Sequence, residues 1–338
     1  MDIGVFGAGA IGGYLGVRLS AAGERVRLLA RADLVALAGR LEAIDHAGSR
    51  VVARELLVRD DPDVLRGVAI CLVTVKSQDT PRAIEALAPR LDPGALVVSF
   101  QNGLDNARRL DEGLAASAVQ GVVTYNVLRD GVVMRQATKG KLVIARAPAR
   151  LAGRHARLVE ALRRAGERVE VAHDIDAEVA GKLLVNLNNG VCAATGLPIA
   201  AALADPDARA VFAACVEEGR RVFRASGVTP ASPFALPIAA VPLALRLPDA
   251  VVRRVADRLV AARPDAKSST LQALERGRAT EIGDLNGAIV ERARRLGVEC
   301  PATEAVLAAV RAHEAAVRSG ERPRYLAPRE LRARARRP

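Results

Sequence analysis

Lys182, Asn186, Asn188 and Asn189 are the polar residues in the middle of an otherwise apolar stretch, 176–195. On a helix, at roughly 100° per residue, Asn186 falls about 40° and Asn189 about 20° from Lys182, so these three form one stripe. A lysine ammonium can donate a proton to a carbonyl oxygen and can stabilise negative charge developing there. Burying an amine and two amides on an apolar helix is costly unless partners or a ligand meet them, so the stripe predicts a cleft. The alternative is a solvated helix face, but such faces usually carry several charges.

A second constellation opens the chain. Gly7-Ala8-Gly9-Ala10-Ile11-Gly12 stands between an apolar strand at 3–6 and a helix at 10–22, the context in which GxGxxG signals a dinucleotide site. The first glycine permits a tight turn, the second lets a pyrophosphate approach the backbone, and the third lets helix and strand pack closely. The helix N-terminus then faces the phosphates. At the end of the next strand the chain reads Leu28-Leu29-Ala30-Arg31, where an NAD site would place an acid on the ribose 2′-hydroxyl. A cation there suits a 2′-phosphate, so the expected cofactor is NADPH; an ordinary surface arginine entering a helix is the other reading. Lys76 follows the strand ending at Val75, and Asn102 follows the strand ending at Phe100. Both lie beyond the carboxyl ends of strands, the edge where open α/β sheets bind ligands, although each could simply cap the helix after it.

The elements that must position these residues follow from periodicity. Strand 3–6, helix 10–22 and strand 25–30 make a βαβ unit. Further strands are expected at 50–58, 67–75 and 95–100, with a helix at 81–90. The last two strands are uniformly apolar, as in a parallel sheet covered on both faces. Segments 119–125, 131–136 and 141–146, with Arg129-Asp130-Gly131 as a hairpin turn, should close that sheet, followed by a helix at 151–165 and a strand at 168–172. From His173 onward the pattern is helical: 176–195, 206–225, 249–261, 268–278, 281–296 and 303–317. The fold class predicted is α/β, with a Rossmann-type dinucleotide-binding domain at 1–172, an all-helical substrate domain at 173–320, and a basic, solvated tail at 321–338.

Composition narrows the function. Half of the 338 residues are hydrophobic, enough for two cores and too many for a disordered chain. The formal charge is +12, but seven arginines against two glutamates in 321–338 supply +5 of it. The rest is dispersed rather than gathered in a patch. With no Trp, three Tyr and five Phe, a base-stacking surface is not expected, and nucleic acid is not expected as a functional partner. Cys71, Cys192, Cys215 and Cys300 form no CxxC and the four histidines are scattered, so neither a metal site nor a disulfide framework is indicated. The N-terminus lacks the pattern of a signal peptide. The longest apolar run, Pro233–Leu245, is short and interrupted by Pro237 and Pro242, whereas a membrane span needs about 20 apolar residues. A cytoplasmic monomer or homodimer is expected.

Together with these blocks, Ser268-Ser269-Thr270-Leu271-Gln272, Thr280-Glu281-Ile282 and Asn286-Gly287 occur in order. On this set, residues 1 to about 317 resemble the ketopantoate reductase (2-dehydropantoate 2-reductase) family. The resemblance implies NADPH-dependent reduction of a 2-oxo acid, 2-dehydropantoate to pantoate or a related acid, a step toward pantothenate and coenzyme A. It implies Lys182 as general acid, Asn102 and Asn186 orienting lysine and substrate, Ser269 near the substrate carboxylate and Glu281 anchoring a substrate hydroxyl. Lys76 and Asn102 would also contact the cofactor. By residue type alone Glu281 reads as an exposed acid in the first turn of a helix and Ser269 as an N-cap. One position departs from the family: Gly190 stands where its best-known members carry asparagine, which predicts a lost hydrogen bond of ~1 kcal/mol and open space beside the substrate. Other β-hydroxy-acid dehydrogenases with a helical second domain can also present Lys and Asn four apart, and a nonenzymatic NADPH sensor is a third reading. Ser269 and Glu281, twelve residues apart, favour the first; Lys182 disfavours the third.

Overall fold

Uniformly apolar strands with short connections must be covered on both faces, and the first half of the chain is built that way. The computed structural model describes residues 1–233, 236–249 and 265–336; the helix expected over 249–261 falls almost wholly outside them. The chain forms two units that meet between Ile175 and Asp176.

The first unit runs β1 (Asp2–Phe6), α1 (Ala10–Ala21), β2 (Arg25–Leu29), α2 (Ala32–Val35), β3 (Glu42–Ile44), β4 (Arg50–Val52), β5 (Leu56–Arg59), β6 (Ile70–Val73) and α3 (Thr80–Leu87). It continues β7 (Leu96–Ser99), α4 (Asn106–Gly113), β8 (Ser117–Val123), β9 (Val127–Asp130), β10 (Val133–Gln136), β11 (Leu142–Ile144), α5 (Ala152–Arg164) and β12 (Val169–Val171). The large sheet has the order β12-β11-β8-β7-β6-β1-β2-β5, parallel from β8 to β5. Alternation sends successive side chains to opposite faces: Ile3, Val5, Ile70 and Leu72 enter one core, while Phe6, Cys71 and Val73 enter the other. The chain steps from β1 to β2 on one side and later returns to β6 on the other, which makes the carboxyl end of β1 a topological switch point.

Two expectations change here. Segment 50–58 is two strands in two sheets: β4 pairs antiparallel with β3 and β5 lies parallel to β2. The backbone N–H of Arg54, between them, donates to Ser20 Oγ at 2.9 Å, which turns the chain from one sheet to the other. The segments expected to close the large sheet are also divided. β8 joins it parallel to β7 and β11 antiparallel to β8, whereas the β9–β10 hairpin builds a second sheet with β3 and β4. That small sheet covers the outer side of α1, with fully buried Met134 pressed against Gly13. A helix so enclosed is buried all round, as Gly12 to Ser20 are.

The second unit contains α6 (Ile175–Thr195), α7 (Ile199–Ala204), α8 (Pro206–Ala225), α9 (Val241–Leu245), α10 (Ser269–Glu275), a π-helical turn (Gly283–Gly287), α11 (Ala288–Leu296), α12 (Pro301–Arg318) and α13 (Pro328–Arg334). Helix α6 is mostly buried, and α8 approaches it closely at Gly219, where a side chain would strike Leu184. Buried Glu218 on α8 accepts from the backbone N–H groups of Ala302 and Thr303, a carboxylate at the N-terminus of α12 that satisfies otherwise orphaned donors. The segment 281–296 is not one α-helix but the π-turn followed by α11.

The tail is not a solvated extension. Leu331 of α13 is fully buried, Arg332 pairs with Asp207 at 2.6 Å, the Leu326 N–H donates to Ala194 O at 3.0 Å, and Tyr325 lies on Gly196 and edge-on to His313. An apolar residue every few positions among the arginines was enough to dock it. No helix among the described residues is long and apolar enough to cross a membrane, and they hold no cluster of three or more metal-ligating side chains.

Candidate active site

Strand register places the loops of the first unit. Phe6 is level with Leu29 of β2 and Val73 of β6, and Val73 with Ser99 of β7. Gly7, Arg31, Lys76 and Asn102 therefore emerge at one edge of one sheet, beyond the carboxyl ends of its strands. Gly7 has φ +108°, a left-handed conformation that glycine adopts without cost. At Gly12 a Cβ would lie 2.1 Å from Gly7 O and 2.3 Å from Thr74 Oγ1, so only glycine lets α1 pack this closely. Thr74, unremarkable in the sequence, donates to Gly7 O at 2.6 Å and fixes the loop. Nothing lies within 4 Å of a Cβ built on Gly9, and Gly9 caps α1 without a side-chain bond. The first-turn N–H groups of α1 thus gain no side-chain acceptor from the cap, the arrangement that binds phosphate.

Lys76 and Asn102 are both partly buried and their loops are tied by a buried polar network. Ser77 Oγ donates to Asn102 O and receives from Asn106 Nδ2 at 2.8 Å. Thr80 Oγ1 bonds Asn106 Oδ1 at 2.9 Å, and Gln101 Nε2 bonds Thr80 Oγ1 at 2.8 Å and Lys76 O at 3.3 Å. Satisfied buried networks rigidify what they hold. Ser77, Thr80 and Asn106 were not singled out in the sequence; the available signal was three polar side chains in the connections and first helical residues that follow strands β6 and β7. Arg31 is exposed, follows β2, and lies 3.8 Å from Asp33, a loose surface pair that contributes little and leaves the guanidinium able to meet an anion.

In the second unit α6 presents Lys182, Asn186 and Asn189, all partly buried, with Asn188 buried beside them. Burial lowers the Lys182 ammonium from its usual 10.5 to about 8, and the charge of Glu281 acts in the opposite direction. Glu281 is buried, not an exposed first-turn acid. The turn that carries it is fixed by Thr280, whose N–H and hydroxyl both donate to Glu314 on α12, at 2.9 and 2.7 Å. The N-cap of α10 is Ser268, which accepts from Leu271 N at 3.3 Å and donates to Asn189 O at 3.2 Å, locking α10 to the polar stretch of α6. Ser269, one residue on, is exposed and is not the cap. A cavity of about 460 Å³ lies elsewhere in this unit, lined by Arg220, Arg224 and Thr229 among others, and none of the residues above lines it.

The expectation of open space at Gly190 is overturned. A Cβ there would meet Asn286 Oδ1 at 2.6 Å and Val306 Cγ1 at 2.7 Å. The π-turn brings another amide into that place, from a residue 96 positions away that the sequence could pair with Gly190 by no local rule.

A Rossmann-type unit followed by a helical unit that carries a lysine on the mostly buried helix α6 defines a class of dinucleotide-dependent oxidoreductases. Residues 3–149 match the family described as ketopantoate reductase PanE/ApbA, and residues 174–314 match its C-terminal part. The chain belongs to the ketopantoate reductase family. It is 30% identical over 316 residues to a 2-dehydropantoate 2-reductase of Archaeoglobus fulgidus, covering 92% of this chain and 97% of that one. It is 32% identical to a 2-dehydropantoate 2-reductase of Halobacterium salinarum, covering 89% and 95%. Among solved structures, a PanE/ApbA family ketopantoate reductase from Ralstonia eutropha JMP134 superposes with TM-score 0.80 at 32% identity, over 94% of this chain and 100% of that one.

Proposed function

We propose that this protein reduces a 2-oxo acid with NADPH, and that 2-dehydropantoate is its substrate. The observation that carries the reading is the pair Lys182 and Glu281: a partly buried ammonium on a stripe of amides, with a buried carboxylate near enough to support its charge.

The glycine loop suits a dinucleotide. Gly9 leaves room for a pyrophosphate, the N-terminus of α1 lacks a side-chain cap, and Arg31 offers a cation at the end of β2 for a 2′-phosphate. When bound, NADPH supplies the hydride. The residues of the chain do the rest. Lys182 donates a proton to the carbonyl oxygen as negative charge builds on it, a task for which an acid with a pKa near the working pH is effective. Asn186 orients the lysine and the substrate, the exposed hydroxyl of Ser269 binds the substrate carboxylate, and Glu281 accepts a hydrogen bond from a substrate hydroxyl while favouring the charged lysine. Lys76 and Asn102, held by the Ser77–Asn106 network, contact the cofactor. A cytoplasmic site of action fits four cysteines that are all free and buried. The test is a panel of 2-oxo acids, with and without a hydroxyl, scored by NADPH oxidation. Turnover with 2-dehydropantoate well above the others supports the reading, and no turnover with any member rejects it.

A further inference from the structure

Glu281 stands on no regular element. Helix α10 ends at Glu275 and the π-turn begins at Gly283, and the connection between them, 276–282, holds neither helix nor strand. A side chain on such a connection is placed precisely only where other groups lock it. Yet Glu281 is buried and its charge acts on Lys182, so the connection must be held by something outside itself.

The lock comes from Glu314 on α12. Its Oε1 accepts from both donors of Thr280, the N–H at 2.9 Å and the hydroxyl at 2.7 Å. The Thr280 hydroxyl oxygen in turn accepts from the Ile282 N–H at 3.2 Å. The residues on either side of Glu281 are therefore tied to one carboxylate oxygen, and bonds to a carboxylate are stronger than those between neutral groups. The Glu281 carbonyl then accepts from the Asp284 and Leu285 N–H groups, both at 3.0 Å, which joins the locked connection to the π-turn. Beside Glu314, His313 donates from Nε2 to Ala194 O of α6 at 3.1 Å. Two consecutive residues of α12 thus hold the helix that carries Lys182 and the connection that carries Glu281. Glu314 does so without acting on the lysine directly: what shifts the Lys182 ammonium is its burial and the charge of Glu281.

We propose that Glu314 is a positioning residue of the substrate site: by accepting both bonds from Thr280 it holds Glu281 where that carboxylate meets a substrate hydroxyl beside Lys182. The inference rests on the reading of function given above and adds to it a residue that acts through another.

Three variants of the full-length enzyme test it. Glu314→Met removes the acceptor and should raise KM for a hydroxyl-bearing 2-oxo acid such as 2-dehydropantoate about tenfold, with KM for an acid lacking the hydroxyl and KM for NADPH within about twofold of wild type, as for the loss of one hydrogen bond at the hydroxyl. The alkaline limb of its pH profile should move to lower pH, because Glu281 withdraws from the ammonium. Thr280→Val, which removes only the hydroxyl, should shift both readouts the same way by a smaller amount. Glu314→Gln keeps an oxygen able to accept both bonds and should stay near wild type in all of them. Losses of equal size for both acids and NADPH, an unaltered KM and limb in Glu314→Met, or a Glu314→Gln enzyme as impaired as Glu314→Met would each overturn the inference. Should Glu314→Met not fold, Thr280→Val decides by the same split between the two acids. A wild-type enzyme that turns over no 2-oxo acid overturns the underlying reading and this inference together, whereas a hydroxyl-dependent loss in Glu281→Gln with none in Glu314→Met or Thr280→Val removes only the role of Glu314.

Discussion

Glu281 and burial act on Lys182 in opposite directions: the protein interior lowers the ammonium to about 8, and the buried carboxylate offsets part of that fall. The pair sets the protonation of the proposed proton donor near neutral pH, so its consequences are measurable in rate and in stability.

As the proposed proton donor, Lys182 acts only when protonated, so activity should be level below about pH 8 and decline as pH rises through that value. Lys182→Ala should abolish this limb and reduce turnover about 10²- to 10³-fold, as removal of an oxyanion donor does, with NADPH affinity nearly unchanged. Near wild-type turnover in the variant would remove Lys182 from the mechanism.

Replacing Glu281 by Gln takes away the anion that favours the charged lysine. The alkaline limb should move to lower pH than in wild type, since only burial then acts on the amine. KM should rise for a 2-oxo acid bearing a hydroxyl and change much less for one without it. A limb that stays in place, or an effect independent of the hydroxyl, contradicts the assignment.

Stability should respond in the opposite sense to activity. The folded-state value of Lys182 lies below its usual 10.5, so the unfolded chain binds more protons between about pH 8 and 10.5 and stability rises with pH across that window. The cost of the buried charge is fully present below it. Lys182→Met should raise Tm by a few degrees at pH 7 and lose the increment between pH 8 and 10, measurable by thermal denaturation of both proteins across that range.

Arg31→Ala should raise KM for NADPH and leave KM for NADH nearly unchanged, because only the former carries the phosphate that loses its cation. Kinetics with both cofactors decide this, and equal losses would refute the assignment of the 2′-phosphate.

Truncation after Gly320 should lower Tm by several degrees. It removes the buried side chain of Leu331, worth about 2 kcal/mol, the Arg332–Asp207 pair and the cover of Tyr325 over Gly196. An unchanged Tm would mean that α13 contributes nothing to the helical unit in solution.

The chain itself determined whatever depends on local order. The glycine spacing of Gly7 to Gly12 between an apolar strand and a helix, the uniform hydrophobicity of β6 and β7, and the row of Lys182, Asn186 and Asn189 at helical spacing all follow from periods of two and 3.6 residues, which are written in consecutive residues. The Rossmann-type unit and the helical unit were legible for that reason. Only the tertiary structure decided what depends on residues far apart. The split of 50–58 between two sheets is set by Ser20 on α1, the burial of Glu281 by its anchorage through Thr280 to Glu314, and the docking of the basic tail by Leu331 and Asp207. The filling of Gly190 by Asn286 belongs to the same kind. A missing side chain and the amide that takes its place are brought together by packing alone, and side-chain packing leaves no period in a sequence.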